Sequence, residues 1–306
     1  MSNFTRNLTN APLFTHSLKT QPFLQKVDKD LLRTGLAFLA FRNDEATIYF
    51  NGNQLCNLTA TNGYLPSIYN HYLPVIRSQT LRKERRKENL LEDAWLKETN
   101  LTSTSFSSVY DEILDNIEKE ESPESLQASR FYRFSPLNQS EEHEIVLLDV
   151  EAAFSETGAK TDRIDLVFYH TIQQQLMFVE VKRLSDDRLY PKEDSHGNQT
   201  AEAEVLGQLK RYDDRCKGEA HTINKEYNKV ISFYNSLSGR NMKPIEENSV
   251  PLLGLLLVEF TRSADDQKHK KQVQDMLKGK NFKWYAIGNT SSVTPATLTA
   301  IYNAIK

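Results

Sequence analysis

Two carboxylates and one lysine lie in two neighbouring apolar segments of the sequence. Asp165 belongs to residues 164–169, and Glu180 and Lys182 belong to residues 176–184. Both segments are short and rich in Val, Ile and Phe, which predicts two β-strands joined by a polar hairpin turn. Side chains two residues apart share one face of a strand, so a single register places all three charged groups together.

Such a group of charges is costly in an apolar strand unless the charges are paired or bind a metal. Hard cations such as Mg²⁺ take oxygen ligands, commonly one or two carboxylates with waters and substrate phosphate oxygens. Asp165 and Glu180 supply the right ligand type for Mg²⁺ or Mn²⁺. Lys182 would orient a water molecule or offset charge on a pentacovalent phosphorane. These residue types therefore predict hydrolysis of phosphodiester bonds.

A purely structural role is the alternative for the same three residues. An isolated Asp commonly ends a strand, and a Glu-x-Lys sequence commonly forms a solvated cross-strand ion pair. Both segments, however, carry apolar residues at the alternate positions, namely Ile164, Leu166, Met177, Val179 and Val181. Apolar faces of this kind are typical of a buried sheet, which favours a site over a surface ribbon.

The order of these residues resembles the motif of the PD-(D/E)XK nuclease superfamily, with Asp165 followed by Glu180-Val181-Lys182 at the end of the next strand. The residue before Asp165 is Ile rather than Pro, a substitution that the superfamily commonly tolerates. Gln208-Leu-Lys-Arg-Tyr212 is similar to the QxxxY helix motif of RecB-like members. The resemblance covers residues 144–260 and implies an α/β, restriction-endonuclease-like fold with a mixed central sheet flanked by helices.

The resemblance also implies a function. Members of this superfamily are metal-dependent nucleases that mostly cut DNA, so we expect DNA rather than RNA as the substrate and a setting in microbial genome defence or repair. Asp165, Glu180 and Lys182 are then the catalytic residues, with the two acids holding the metal. The alternative is a catalytically silent subunit of the same fold that binds nucleic acid or assembles a defence complex. The intact Asp, Glu and Lys set favours the enzyme.

Three further residues are supporting candidates. Gln208 and Tyr212 lie four apart on one helical face, from which they would contact the substrate or Lys182, or simply pack the helix. Glu151 lies in residues 144–154, the predicted first core strand, and would be another metal ligand or substrate contact. An edge-strand acid is the alternative for Glu151.

Residues 77–98 have the pattern of a helix with an apolar stripe in the second half. In the resembled superfamily a helix before the sheet often adds an acid to the site, which makes Glu88 and Glu92 candidates. If the helix that follows residue 108 and is expected to end at Pro123 takes this place instead, the candidate is Glu112. The first half of the 77–98 segment carries a basic run that is either solvated or tracks a nucleic-acid backbone. That run includes Arg82, Lys83, Arg85, Arg86 and Lys87.

The pattern along the chain predicts two regions. Residues 1–76 are expected to form an accessory region with an extended lead-in over 1–30, which Pro12 and Pro22 indicate, and a β-hairpin at Asn51-Gly52. Residues 77–306 are expected to form the nuclease-like domain, with an insertion at about 99–143. Its later elements are predicted as a helix over 200–216 capped by Thr200, a helix over 223–237, a strand over 250–260, a strand over 282–287 and a helix over 295–305.

The composition limits which binding partners and which cellular compartment the sequence predicts. The net charge of −3 gives no general attraction to nucleic acid, so local patches or a partner protein must provide it. We therefore expect a homo-oligomer or a partner such as a helicase or sensor. The two cysteines lack the spacing of a zinc site or a disulfide framework. The sequence shows no apolar stretch long enough for a membrane span, which predicts a cytoplasmic protein without membrane contact.

Overall fold

The computed structural model describes residues 4–73, 95–97, 105–120, 122–139, 142–154, 162–194 and 199–306. The chain divides into two compact units. We call the unit of Thr5–Glu141 and Phe233–Arg240 the N-terminal unit. The core unit contains Met1–Phe4, Glu142–Ser232 and Asn241–Lys306. The boundary predicted after residue 76 falls outside the described residues and stays a prediction.

The described part of the chain is a mixed α/β structure with eight α-helices and two five-stranded sheets. None of its helices is long and apolar enough to cross a membrane.

The N-terminal unit is built on an antiparallel sheet of order β1-β2-β3-β4-β5. Its helices and strands are α1 (Ala11–Thr20), α2 (Pro22–Val27), β1 (Ala37–Arg42), β2 (Glu45–Phe50), β3 (Asn53–Thr59), β4 (Pro66–Tyr69), β5 (Trp95–Lys97), α3 (Tyr110–Glu118) and α4 (Pro123–Ser129).

The predicted hairpin at Asn51-Gly52 is confirmed as the turn between β2 and β3. Both residues have positive φ, 49° and 81°, as a type I′ turn requires. A Cβ at Gly52 would lie 2.5 Å from backbone atoms of Ser125, so the turn also needs glycine for space.

The extended lead-in predicted for residues 1–30 is wrong, because α1 and α2 occupy most of it. Asn10 caps α1 by accepting a hydrogen bond from the Leu13 N–H at 3.0 Å. Pro12 and Pro22 lie in the first turns of the two helices, where a missing N–H costs nothing. Reading these prolines as breakers caused the error.

Two further predictions in this region need correction. Trp95–Lys97 was expected to end the 77–98 helix but forms β5, which pairs with Ser67–Tyr69 of β4. The rest of that predicted helix lies in residues 74–94 and at 98, outside the described residues. Pro123 was expected only to end a helix, whereas it begins α4 after the Ser122 cap.

The core unit contains a mixed sheet of order β12-β11-β8-β7-β6. Strands β6, β7 and β8 are antiparallel neighbours, and β8, β11 and β12 run parallel. Its helices and strands are β6 (Ile145–Phe154), β7 (Asp162–His170), β8 (Gln175–Arg183), β9 (Lys192–Glu193), β10 (Gln199–Ala201), α5 (Glu204–Gly218), α6 (Ala220–Ser238), β11 (Leu252–Val258), α7 (Ala264–Gly279), β12 (Lys283–Ala286) and α8 (Pro295–Ile305). Helix α6 ends within the N-terminal unit.

The predicted strands over 144–154, 164–169 and 176–184, the two helices after them and the strand over 250–260 are confirmed as β6, β7, β8, α5, α6 and β11. The helix predicted to precede them, over 77–98, lies largely outside the described residues. The predicted cap of α5 is wrong, because Thr200 lies in β10 and the helix begins after Ala203. Helix α5 packs against the face of the sheet that α7 also covers. Leu209 of α5 lies there in one buried cluster with Leu255 and Leu257 of β11, and this burial fixes the position of α5. Each fully buried leucine of this kind contributes about 1.5–3 kcal/mol.

Candidate active site

Strands β7 and β8 bring Asp165 and Glu180 side by side. The register pairs Val167 with Phe178 and Leu166 with Val179, where the ladder ends. The next step along both strands reaches Asp165 and Glu180. Beyond the ladder, the Val181 N–H donates a hydrogen bond to Asp165 Oδ2 at 2.7 Å. The Asp165 carboxylate thus takes the place of a backbone carbonyl as the acceptor for the Val181 N–H, and this hydrogen bond fixes the orientation of the carboxylate.

The Lys182 ammonium lies among three oxygen atoms. Its Nζ donates to Glu180 Oε1 at 2.6 Å and to the Val181 carbonyl oxygen at 2.9 Å. Asp165 Oδ2 lies 3.9 Å from the same Nζ. The structure therefore brings together the two acids and the lysine that the motif singles out, within the reach of one cation.

These three side chains differ in their access to solvent. Glu180 and Lys182 are buried, with side-chain exposures of 1% and 2%, whereas Asp165 is 22% exposed. A ligand can therefore approach from the Asp165 side, while the Glu180–Lys182 pair forms the floor. Charges on such a floor interact strongly because little water screens them.

The donor set fits a hard divalent cation. Two carboxylates and a main-chain carbonyl already surround a positive charge, the Lys182 ammonium. Among the described residues no group of three or more His, Cys, Asp and Glu side chains could hold a metal ion. Two carboxylates suffice for Mg²⁺, which keeps several waters, so Asp165 and Glu180 would hold it.

Gln208 and Tyr212 connect α5 to β7. Gln208 Nε2 donates to the Tyr212 hydroxyl at 2.8 Å, and that hydroxyl donates to the Arg163 carbonyl oxygen. Arg163 precedes Asp165 by two residues on β7. Tyr212 is fully buried, so its hydroxyl needs this partner. These contacts hold the strand that carries Asp165, which is a positioning role.

Glu151 lies on β6, the edge strand of the core sheet. It has a positive φ of 51°, and its carboxylate pairs with Arg163 at 3.0 Å. Both side chains are well exposed, with Glu151 at 37% and Arg163 at 58%. This ion pair agrees with an edge-strand acid, and a ligand role for Glu151 stays a prediction.

The remaining predicted site residues lie elsewhere in the chain. Glu88, Glu92 and the basic run fall within residues 74–94, outside the described residues. That run comprises Arg82, Lys83, Arg85, Arg86 and Lys87. Glu112 is exposed on α3 in the N-terminal unit.

Asp186, in the loop after β8, was not predicted as part of the site. It accepts the Arg188 N–H at 2.9 Å and binds the Arg188 guanidinium at 2.9 and 2.5 Å. Burial raises the pKa of Asp186, but these hydrogen bonds and the charges of Arg188 and Lys182 outweigh it and hold the pKa below its usual value. The Asp-x-Arg sequence, which favours an Asx turn, was the available signal.

Asp149 is a second buried acid, on β6 in the row of Val167 and Phe178. The Tyr227 hydroxyl of α6 donates to it at 3.0 Å, and the Val150 N–H donates at 2.9 Å. These bonds satisfy the carboxylate, which therefore anchors α6 to the sheet.

Comparisons of the chain with protein-family models, with curated proteins and with solved structures find no significant match. The functional interpretation therefore depends on the sequence motif and the geometry of Asp165, Glu180 and Lys182.

Proposed function

We propose that the core unit is a metal-dependent nuclease that hydrolyses phosphodiester bonds, with DNA as the preferred substrate. One observation carries this proposal: the Lys182 ammonium lies 2.6–3.9 Å from oxygens of Glu180, Val181 and Asp165. Two acids and a lysine at the ends of adjacent strands supply the groups that metal-assisted phosphodiester hydrolysis needs.

Each residue has a role that follows from its position. Asp165 and Glu180 would hold Mg²⁺ or Mn²⁺. The bound ion would polarise the phosphate and lower the pKa of a water molecule. Asp165, at the open side, is held in orientation by the Val181 N–H. Lys182 supplies a fixed positive charge that stabilises the negative charge developing on the phosphoryl oxygens.

Gln208 and Tyr212 act indirectly. Their hydrogen bonds fix the Arg163 carbonyl and hence the part of β7 that leads to Asp165. A catalytic carboxylate displaced by about 1 Å loses much of its effect, so this anchor supports the reaction without touching the substrate.

The preference for DNA and the setting in genome defence or repair rest on the resemblance to PD-(D/E)XK nucleases. The basic run at residues 82–87 is proposed as a contact for the nucleic-acid backbone. A helicase, a sensor or a second copy of the chain would deliver the substrate.

The proposal is tested by incubating the full chain with supercoiled, linear and single-stranded DNA and with RNA, in Mg²⁺, Mn²⁺ or EDTA. Asp165→Asn is the test variant, since Asn keeps an acceptor for the Val181 N–H but loses the charge. Asp275→Asn, which alters an exposed carboxylate on α7, is the matched control. We expect cleavage by the wild type and by Asp275→Asn, and none by Asp165→Asn or in EDTA.

Two outcomes contradict the proposal in different ways. Cleavage that persists in Asp165→Asn places the reaction elsewhere. Binding of nucleic acid without cleavage of any substrate supports the alternative, a catalytically silent subunit of a defence complex.

A further inference from the structure

A concave surface lies in the core unit at the start of β11. It is a cavity of about 680 Å³ between α5, the start of β12 and the end of α8. Its walls include Leu206 and Lys210 of α5, Leu253 of β11, and Phe282 and Lys283 at β12. We call this surface the lysine groove. Its volume is in the range of sites that bind small molecules. None of the three candidate catalytic residues lines it.

The lysine groove carries a surplus of positive charge. Two of its lysines are paired with its two acids: Lys217 Nζ lies 2.6 Å from Asp213 Oδ2, and Lys280 Nζ lies 2.6 Å from Glu202 Oε1. Its other two lysines, at positions 210 and 283, are exposed and have no acid in the lining to offset them. A cationic hollow on a chain of net charge −3 favours an anionic ligand.

The other surfaces of the lysine groove are apolar or aromatic. Leu206 is buried, and Leu253 and Phe282 are half-buried. Phe282 lines the groove while it also packs against the hydrophobic cluster of α5, β11 and α7. An aromatic ring in the lining of a site can stack on a planar group. Next to it, Asn281 is exposed and its side-chain amide both donates and accepts hydrogen bonds. Charge, ring and amide together suit a ligand that has an anionic end and a flat, polar-edged ring.

We propose that the lysine groove binds a nucleotide, free or as part of a strand. Lys210 and Lys283 hold the phosphate, because a lysine ammonium binds phosphate as a point charge. Phe282 stacks on the base, and Asn281 bonds to its edge. A nucleotide uses all three features of the lining, because its phosphate matches the two lysines, its base the ring and the edge of its base the amide. This binding is independent of hydrolysis at Asp165.

The test measures binding of dAMP and of inorganic phosphate to the full chain by calorimetry in EDTA. The test variant is the double substitution Lys210→Glu and Lys283→Glu. The matched control is Lys268→Glu and Lys271→Glu, two exposed positions on α7 that change the net charge by the same amount. We expect the test variant to weaken dAMP binding at least about tenfold and the control to leave it within about twofold.

Phe282→Ala separates a nucleotide site from a simple phosphate site. It is expected to weaken dAMP binding while leaving phosphate binding unchanged. A short single strand titrated beside dAMP shows whether the free nucleotide or the strand binds more tightly, and either result agrees with the proposal. Failure of dAMP and strand to bind, equal weakening by the two double variants, or equal loss of dAMP and phosphate in Phe282→Ala overturns it. Asp165→Asn must bind dAMP like the wild type, so loss of cleavage alone leaves this proposal standing.

Discussion

Lys182 Nζ lies 2.6 Å from Glu180 Oε1, and neither side chain is more than 2% exposed. Removing one partner leaves the other charge buried, which typically costs about 3–5 kcal/mol. We expect Lys182→Met and Glu180→Gln each to lower the free energy of unfolding by about that amount, and the double variant to lose less than the two losses combined. Urea denaturation of the four proteins measures the coupling.

The exposed pair Lys217–Asp213 is the matched control for that cycle. It has the same 2.6 Å separation but lies on the surface of α5, so Lys217→Met should reduce stability far less than either substitution in the buried pair. Strict additivity of the Lys182 and Glu180 substitutions would contradict the buried ion pair.

Tyr212→Phe removes the hydroxyl that joins Gln208 to the Arg163 carbonyl. Loss of a buried hydrogen bond should lower the free energy of unfolding by about 1–3 kcal/mol. Because the bond positions β7 near Asp165, we also expect a lower kcat with little change in KM. Thermal denaturation and steady-state kinetics test both effects.

Tyr302→Phe is the control for Tyr212→Phe. It removes a hydrogen bond to Gln175 Oε1 at 3.0 Å, at the start of β8 and away from the acids. It should reduce stability without reducing kcat. Equal kinetic effects of the two substitutions would refute a positioning role for Tyr212.

The sequence was sufficient to predict the strands that carry the site. Residues 164–169 and 176–184 are short apolar runs rich in Val, Ile and Phe and joined by a polar turn, so β7 and β8 follow from local pattern. The anchor through Arg163 could not be predicted in the same way. It joins residues 49 apart through a main-chain carbonyl, which no side-chain pattern reveals. The helices at residues 11–27 were missed because proline both starts and breaks helices.

His170, at the end of β7, makes stability depend on pH. Burial lowers its pKa, Glu144 opposes this and Lys306 adds to it. At pH values just below 6.5, His170 is therefore protonated in the unfolded chain while it is still neutral in the folded chain. Stability should be full above that pH and should fall as the pH drops from about 6.5 towards the lowered folded value.

His170→Gln has no titrating ring and should remove this dependence. The comparison is the free energy of unfolding of the wild type and the variant between pH 5 and 8. Parallel curves over that range would show that His170 titrates alike in the folded and unfolded chain.

Cys56 and Cys216 should resist thiol reagents in the native protein. Both are free and buried, and burial raises the pKa of each thiol. Because the thiolate is the reactive form, a colorimetric thiol reagent should label neither cysteine at neutral pH and both after denaturation. Rapid labelling of the native chain would show that the local packing opens readily.

The rate of DNA cleavage in Mg²⁺ under single-turnover conditions tests the central claim most directly. The claim predicts that Asp165→Asn lowers this rate at least about 100-fold relative to Asp275→Asn, with both variants as stable as the wild type. Equal rates in the two variants would contradict a hydrolytic centre at Asp165, Glu180 and Lys182.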